Sequence, residues 1–125
     1  MKDTKILVIE DNDLNMKLVR TVLQIENYQI LEAENAEEGI ALAREHHPDL
    51  ILMNIQLPGM DGLAATKKIK EDPATENIRV VAFSSYAMKG DREKALEIGC
   101  VGYITKPIDT RNFLDTIISR CFSDE

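Results

Sequence analysis

The feature that most constrains the fold is a regular alternation of short apolar runs with helical patterns along the chain of 125 residues. Short apolar runs fit buried strands, and apolar residues at spacings of three and four fit amphipathic helices. The predicted strands span residues 5–9, 28–33, 49–54, 78–84 and 101–105. Because strands that alternate with helices form parallel sheets with right-handed crossovers, the pattern predicts a parallel sheet covered by helices on both faces.

The helical patterns between these strands carry start and stop signals. The apolar face of the first predicted helix consists of Leu14, Leu18, Val22 and Ile25. Asn35 can cap the second helix, and Pro48 prevents that helix from continuing. Gly99 ends the fourth helix. The later predicted helices run over residues 36 to about 46, 63 to about 70 and 88 to 98, and a last helix follows residue 109.

The predicted fold is α/β, a flavodoxin-like doubly wound (βα)5 domain with a five-stranded parallel sheet in the order 2-1-3-4-5. The chain of 125 residues, 44% of them hydrophobic, suits one domain over residues 1–125. Polar side chains follow four predicted strands, as Asp11, Asn54, Ser84 and Lys106. Since ligands bind at the carboxyl ends of such strands, we expect these residues to converge on one surface pocket.

Charge and cysteine usage exclude several classes of function. The formal net charge is −7 and the pI is about 4.9, which disfavours binding to nucleic acid. Cys100 and Cys121 form no metal-binding spacing and suit reduced thiols in the cytoplasm. The apolar stretch after residues 1–5 is too short for a signal peptide core or a membrane span, so we expect no membrane association.

The residues at the strand ends resemble the receiver domain of two-component response regulators. They are the acidic pair Glu10-Asp11, the turn with Pro58 and Gly62, the hydroxyl of Ser84 and the pair Lys106-Pro107. The resemblance covers the whole chain. Residues 11–18 and 87–91 further resemble DivK-like single-domain regulators and the receivers attached to hybrid histidine kinases.

This resemblance implies a function in phosphorelay signalling. A receiver accepts a phosphoryl group from a histidine kinase or a histidine phosphotransfer protein. It then changes its binding to a downstream protein through the face formed by helix 4, strand 5 and helix 5. We expect a monomer in the unphosphorylated state.

The acidic pair predicts a Mg²⁺ site. Two neighbouring carboxylates repel each other and favour a hard divalent cation that retains part of its water shell. The expected ligands are Asp11 and the side-chain oxygen of Asn54 directly, Glu10 through a water, and the backbone carbonyl of Gln56. Taken alone, the acidic pair would be better explained as a solvated turn before a helix, but its position after the first strand reverses this preference and favours the metal site.

The other site residues have roles that the resemblance implies. Lys106 would place a charge, and Ser84 a hydroxyl donor, against phosphoryl oxygens. The alternatives are a structural ion pair between Lys106 and Asp11 and an ordinary turn position for Ser84. Ser84 and Tyr103 form the expected switch, unless Tyr103 is simply a half-buried aromatic residue on a strand. Pro107 resembles the cis-proline of the family.

Asn54 stands at the position of the phosphoacceptor aspartate. A neutral amide is a poor nucleophile, so we expect no phosphorylation of this residue and no enzymatic activity. A parent chain with aspartate at position 54 would catalyse its own phosphotransfer and dephosphorylation. Natural loss of the acceptor and engineered replacement both explain Asn54, and the retention of Glu10, Asp11, Ser84 and Lys106 favours replacement.

Three alternative functions fit the same strand and helix pattern. A flavodoxin-like electron carrier would need a phosphate-binding loop after the first strand, where residues 10–13 instead hold three acids. A phosphatase with Asp11 as nucleophile would need a substrate cap, for which the short connections leave no room. The strongest alternative is a phosphorylation-independent adaptor that binds its partner through helix 4 and helix 5, because it needs no acceptor at position 54.

Overall fold

Strands and helices alternate along the chain in the computed structural model, which describes residues 5–25, 28–55, 57, 59–84 and 91–105. The strands are β1 (Lys5–Ile9), β2 (Gln29–Ala33), β3 (Leu50–Asn54), β4 (Arg79–Ser84) and β5 (Gly102–Thr105). The helices of the described ranges are α1 (Asp13–Ile25), α2 (Ala36–His46), α3 (Gly62–Glu71) and α4 (Asp91–Ile98). The predicted last helix and the predicted start of the fourth helix at residue 88 lie outside these ranges.

The strands form one five-stranded sheet in the order β2-β1-β3-β4-β5, and all neighbouring strands are parallel. This confirms the predicted fold class and strand order. The chain leaves β1 towards β2 on one side and returns to β3 on the other, so the strand order switches between β1 and β3. Doubly wound folds form their functional crevice at this switch, outside the carboxyl ends of the strands.

Helices cover both faces of the sheet, so successive residues of the central strands enter opposite halves of the core. One half packs Leu7, Ile9, Ile51 and Met53 with residues of α2, α3 and α4, such as Ala43, Ile69 and Ala95. The other half packs Ile6, Val8, Leu50, Leu52 and Phe83 against α1. Double-sided burial explains why the sequence of β3 is apolar without alternation.

The buried face of α1 differs from the predicted one. Leu14 is 77% exposed and Leu18 is 38% exposed, although the spacing rule assigned both to the apolar face. The residues of α1 that pack on the sheet are Met16, Val19, Val22 and Leu23. The helix carries two overlapping apolar stripes, and the sheet contacts only one of them. Val22 belongs to both stripes, and the side chain of Ile25 is outside the described set.

The helix caps agree with the sequence signals. The Asn35 side chain accepts a hydrogen bond from the backbone N–H of Glu38 at 2.8 Å and caps α2, as predicted. His47 ends α2 in a left-handed conformation with φ 49°, and its N–H donates to the Ala43 carbonyl. Asp61 caps α3 in the same way as Asn35, through the N–H of Ala64 at 2.8 Å.

The later strands each begin one residue after the predicted start, and their predicted ends are correct. The residues just before β3 and β5 still bond to a neighbouring strand, through Asp49 N–H to Lys5 O at 2.9 Å and Val101 N–H to Val80 O at 2.8 Å. Helix α3 extends the predicted helix by one residue at each end.

None of the described helices combines the length and the apolar character that crossing a membrane requires.

Candidate functional site

The site lies at the carboxyl ends of β1 and β3, where the strand order switches. Ile9 pairs with Met53 in the sheet, so Glu10 and Asn54 follow side by side at the same edge. Glu10 is 1% exposed and Asn54 is 2% exposed. Asp11 is the solvent-exposed member of the group.

The side chain of Asn54 bonds to both acids. Its Nδ2 donates to Glu10 Oε2 at 2.9 Å and to Asp11 Oδ1 at 3.2 Å. The structure thus brings together three of the predicted site residues, two of which lie more than forty positions away from the third along the chain. The amide nitrogen, not the amide oxygen, faces the carboxylates.

Asn12 is a site residue that the sequence analysis missed. Its backbone N–H donates to Glu10 Oε2 at 3.1 Å, which holds the same oxygen that bonds to Asn54. Its side chain accepts from the N–H of Asn15 at 2.9 Å and caps α1. The signal was present, because asparagine is a preferred residue immediately before the first residue of a helix.

The backbones around the acids are tied into the sheet. The N–H of Glu10 donates to Ala33 O on β2 at 3.0 Å, and the N–H of Ile55 donates to Phe83 O on β4 at 3.0 Å. The N–H of Gly62 donates to Ile55 O at 3.2 Å and draws the start of α3 against the end of β3. These bonds position Glu10 and Asn54 from neighbouring strands.

Gly62 allows α3 to approach the site closely. A Cβ atom at this position would lie 2.3 Å from the backbone oxygen of Asn54 and 2.5 Å from the Cα atom of Ile55. Both distances are far below van der Waals contact with backbone atoms that cannot rotate away. The motif that singled out Gly62 in the sequence therefore has a steric reason, which only the structure shows.

The predicted phosphoryl-binding and switch residues are placed in part. Residue 84 ends β4, next to the Asn54–Phe83 pair of the sheet register, and pairs with Thr105. The side chain of Ser84 and the whole of Gln56, Lys106 and Pro107 lie outside the described residues, so their roles stay predictions.

Tyr103, the other predicted switch residue, lies on β5. It pairs with Ala82 in the sheet, is half-buried and packs against the core half that contains Ile51 and Met53. This half-buried position on β5 fits both an ordinary strand aromatic and the predicted switch.

The side chains of Glu10, Asp11 and Asn54 would suit a hard divalent cation if the Asn54 amide group were turned over. Glu10 and Asp11 supply carboxylate oxygens, which Mg²⁺ prefers, and Asn54 would have to present Oδ1 in place of Nδ2. Within the described ranges, no three His, Cys, Asp or Glu side chains are grouped so that they could hold a metal ion. Because residue 54 is an asparagine, the described part of the site contains two acids, Glu10 and Asp11.

Comparisons with known proteins agree on one family. The family described as "Response regulator receiver domain" matches residues 6–118. The polar-differentiation response regulator DivK of Brucella ovis is 46% identical over 114 residues, which cover 91% of this chain and 93% of that protein. DivK of Brucella anthropi is similar to the same extent.

Solved structures agree with this assignment. The receiver domain of the sensor histidine kinase PA1611 from Pseudomonas aeruginosa, which has a magnesium ion in its active site cleft, matches with a TM-score of 0.88 and 26% identity over 97% of this chain and 99% of that one. A CheY-like receiver domain protein from Methanospirillum hungatei matches with a TM-score of 0.88 and 25% identity over 95% of this chain and 94% of that one. The chain therefore belongs to the response regulator receiver domain family of two-component signalling.

Proposed function

We propose that this chain is a DivK-like receiver of a phosphorelay in which asparagine at position 54 prevents phosphorylation of that residue. The observation that carries the proposal is the position of Asn54, at the end of β3 and within hydrogen-bond distance of both Glu10 and Asp11. A parent chain with aspartate at this position would hold its acceptor oxygen beside two further carboxylates at the switch point of the sheet.

The chemistry of the parent follows from this placement. A carboxylate oxygen at position 54 would attack the phosphorus of a phosphohistidine, a new O–P bond would form, and the histidine nitrogen would leave with the electrons of the broken N–P bond. A bound Mg²⁺ would offset negative charge on the phosphoryl oxygens. In the present chain the amide of Asn54 cannot form an acyl phosphate, so the proposed activity is absent and the chain is not an enzyme.

The proposal extends to the cofactor and the partners. Glu10 and Asp11 would hold Mg²⁺, more weakly with asparagine than with aspartate at position 54. The magnesium ion in the related receiver of PA1611 supports this assignment. A histidine kinase or phosphotransfer protein would be the donor to the parent. A downstream protein would bind the face that contains α4 and β5, with Ser84 and Tyr103 as the switch, and the proposed location is the cytoplasm.

A phosphorylation-independent adaptor is the second candidate. The bonds from Asn54 to Glu10 and Asp11 complete a polar arrangement without any phosphoryl group. In addition, Leu96 on α4 is 42% exposed, which offers an apolar contact to a partner. An adaptor would bind its partner equally well with asparagine or aspartate at position 54, whereas a phosphate-driven switch would not.

The test of the first proposal compares this chain with its Asn54→Asp variant. Each is incubated with Mg²⁺ and acetyl phosphate, and the intact mass is measured. We expect the variant alone to gain one phosphoryl group. If neither chain gains it, the receiver chemistry fails and the adaptor becomes the better explanation. If the present chain also gains it, another residue is the acceptor and the assignment to position 54 is wrong.

An Asn54→Ala variant is the matched control. It removes the amide without adding a nucleophile, so it should remain unmodified under the same conditions. Phosphorylation of this variant would show that the mass gain in the Asn54→Asp chain arises elsewhere.

A further inference from the structure

We infer that the Asn54 amide is a built-in substitute for the cation between Glu10 and Asp11. The acid pair is then organised without metal, and a divalent cation enters only after the amide reverses. The inference rests on the proposed receiver site, but its tests need no phosphodonor.

The orientation of the amide follows from its chemistry. A primary amide nitrogen carries two N–H donors, and an ionised carboxylate only accepts hydrogen bonds. Nδ2 can therefore serve Glu10 at 2.9 Å and Asp11 at 3.2 Å with one N–H each. The opposite orientation would place Oδ1, which has no hydrogen, against the oxygens of two acids.

Burial strengthens the contact with Glu10. Glu10 and Asn54 are 1% and 2% exposed, so water reaches this bond poorly. Hydrogen bonds with an ionised partner are stronger than neutral ones, and a low local dielectric increases the difference. The backbone N–H of Asn12 adds a second donor to the same oxygen at 3.1 Å. The bond to the exposed Asp11 contributes less, because solvent screens it.

Because backbone hydrogen bonds hold the chain in place around the site, a cation can be admitted by rotation of the Asn54 side chain. Glu10 and Ile55 are anchored to Ala33 and Phe83 by backbone bonds of 3.0 Å each. A cation that takes Oδ1 of Asn54 as a ligand must therefore turn the amide over in place. Turning it over breaks both bonds from Nδ2, which opposes binding of the cation.

An aspartate at position 54 reverses this situation. Its carboxylate accepts hydrogen bonds and donates none, so it would add a third negative charge beside Glu10 and Asp11. A cation would then relieve repulsion instead of displacing hydrogen bonds. The sign of the interaction between residues 10 and 54 should therefore depend on which residue occupies position 54.

The first test is a double-mutant cycle in EDTA, read as the urea midpoint of unfolding. In this chain, Glu10→Gln removes the ionised acceptor of the Asn54 amide and should lower the midpoint. In the Asn54→Asp chain, the same change removes a like charge and should raise it. A shift in the same direction in both chains would overturn the inference, because a purely structural role of Glu10 does not depend on charge at position 54.

The second test uses NMR of the side-chain amide in this chain. Without metal, the N–H protons of Asn54 should exchange with water more slowly than those of the exposed Asn12 side chain. Saturation with Mg²⁺ should shift the Asn54 amide resonances, and it should need about tenfold more Mg²⁺ than the Asn54→Asp chain. Fast exchange without metal, or equal Mg²⁺ affinity in the two chains, would contradict the inference.

The two proposals can fail separately. If the Asn54→Asp chain accepts no phosphoryl group but the sign reversal occurs, the receiver function of the parent fails while the role of the amide stands. If phosphorylation occurs without the reversal, the receiver function stands and the amide has no cation-like role.

Discussion

At the scale of single residues, one side-chain atom at position 54 decides the electrostatics of the site. An amide nitrogen supplies two hydrogen-bond donors to Glu10 and Asp11, where a carboxylate oxygen would supply a further negative charge. Under the proposed function, the same small difference would also remove the nucleophile that forms an acyl phosphate. The residue type at position 54 would then set both the chemistry of the site and its affinity for a cation.

Gly62 should tolerate no side chain. A Gly62→Ala change places Cβ 2.3 Å from the Asn54 backbone oxygen, so α3 or the end of β3 must shift. We expect the free energy of unfolding in urea to fall by about 3 kcal/mol. Gly59→Ala is the control, since a Cβ there meets nothing within 4 Å and only the positive φ of 75° opposes it. Equal losses in the two variants would show that crowding at Gly62 is not the cause.

His47 should accept glycine with a gain in stability. Its φ of 49° lies in the left-handed region, which costs a residue with Cβ about 1–2 kcal/mol. Glycine removes this cost but increases the entropy of the unfolded chain, so the expected net gain is about 0.5 kcal/mol. Thermal unfolding should show a small rise in Tm for His47→Gly. The neighbouring change His46→Gly, at the last residue of α2, should lower Tm, and a fall in both would refute the prediction.

At the scale of elements, a helix packs on the sheet through one stripe of its surface. α1 buries Val19 completely and leaves Leu14 largely in water, although both are apolar. α3 is joined to the connection that precedes β4 by Lys70, whose Nζ donates to the carbonyls of Glu76 at 3.2 Å and Ile78 at 2.6 Å. These bonds hold the carboxyl end of α3 against its connection to β4.

The two apolar stripes of α1 predict stability losses of different size when a side chain is truncated. Val19→Ala leaves a cavity against the sheet and should lower the free energy of unfolding by about 2 kcal/mol. Leu14→Ala removes a side chain that is 77% exposed and should change it by less than about 0.5 kcal/mol. Urea denaturation of the two variants measures the difference. A large loss from Leu14→Ala would mean that α1 buries the face which the spacing rule indicated.

At the scale of the whole molecule, the strand order creates the site. Residues 10 and 54 lie 44 positions apart in the chain and meet because β1 and β3 are neighbours. Neither β2 nor α2 separates them, since the chain crosses to the far side of β1 before it returns. The core that supports this arrangement has one half on each face of the sheet. Cys100 lies in the half that contains Ile51 and Met53.

The buried thiol of Cys100 predicts the pH dependence of global stability. Burial raises the pKa of Cys100 from its usual 9.0 to about 11, against the smaller opposing effects of Thr66 and Lys70. Between these pH values the unfolded chain has released the thiol proton and the folded chain retains it, so this group makes the folded state less stable as pH rises. We expect Cys100→Ala to reduce this loss between pH 9 and pH 11.

The control for this prediction is the unchanged chain, which is compared with Cys100→Ala at each pH. Burial lowers the pKa of Lys70, which acts in the opposite direction, because loss of its proton at high pH favours the folded state. Urea unfolding of both chains at a series of pH values measures the effect of the thiol together with its electrostatic effect on the pKa of Lys70, which Cys100 raises. Parallel stability profiles for the two chains would show that Cys100 does not titrate as expected.

Much of the fold follows from local patterns in the sequence. The ends of β2, β3, β4 and β5 and the bounds of α2 agree with the apolar runs and the Asn35 cap, because both signals act over a few residues. The starts of β2, β3, β4 and β5 each differ from the predicted start by one residue, whereas β1 begins as predicted. The grouping of Glu10, Asp11 and Asn54 was also predictable, from the rule that parallel strands end at one edge.

The alternation of strands and helices, the flavodoxin-like strand order and the residue types that meet at the edge of the sheet can all be predicted from the amino-acid sequence. The buried stripe of α1, the steric need for glycine at position 62 and the orientation of the Asn54 nitrogen towards both acids are visible only in the folded chain. The reason is physical: local patterns record what each segment can bury, whereas packing and hydrogen bonding between distant segments select among the faces and orientations that those patterns allow.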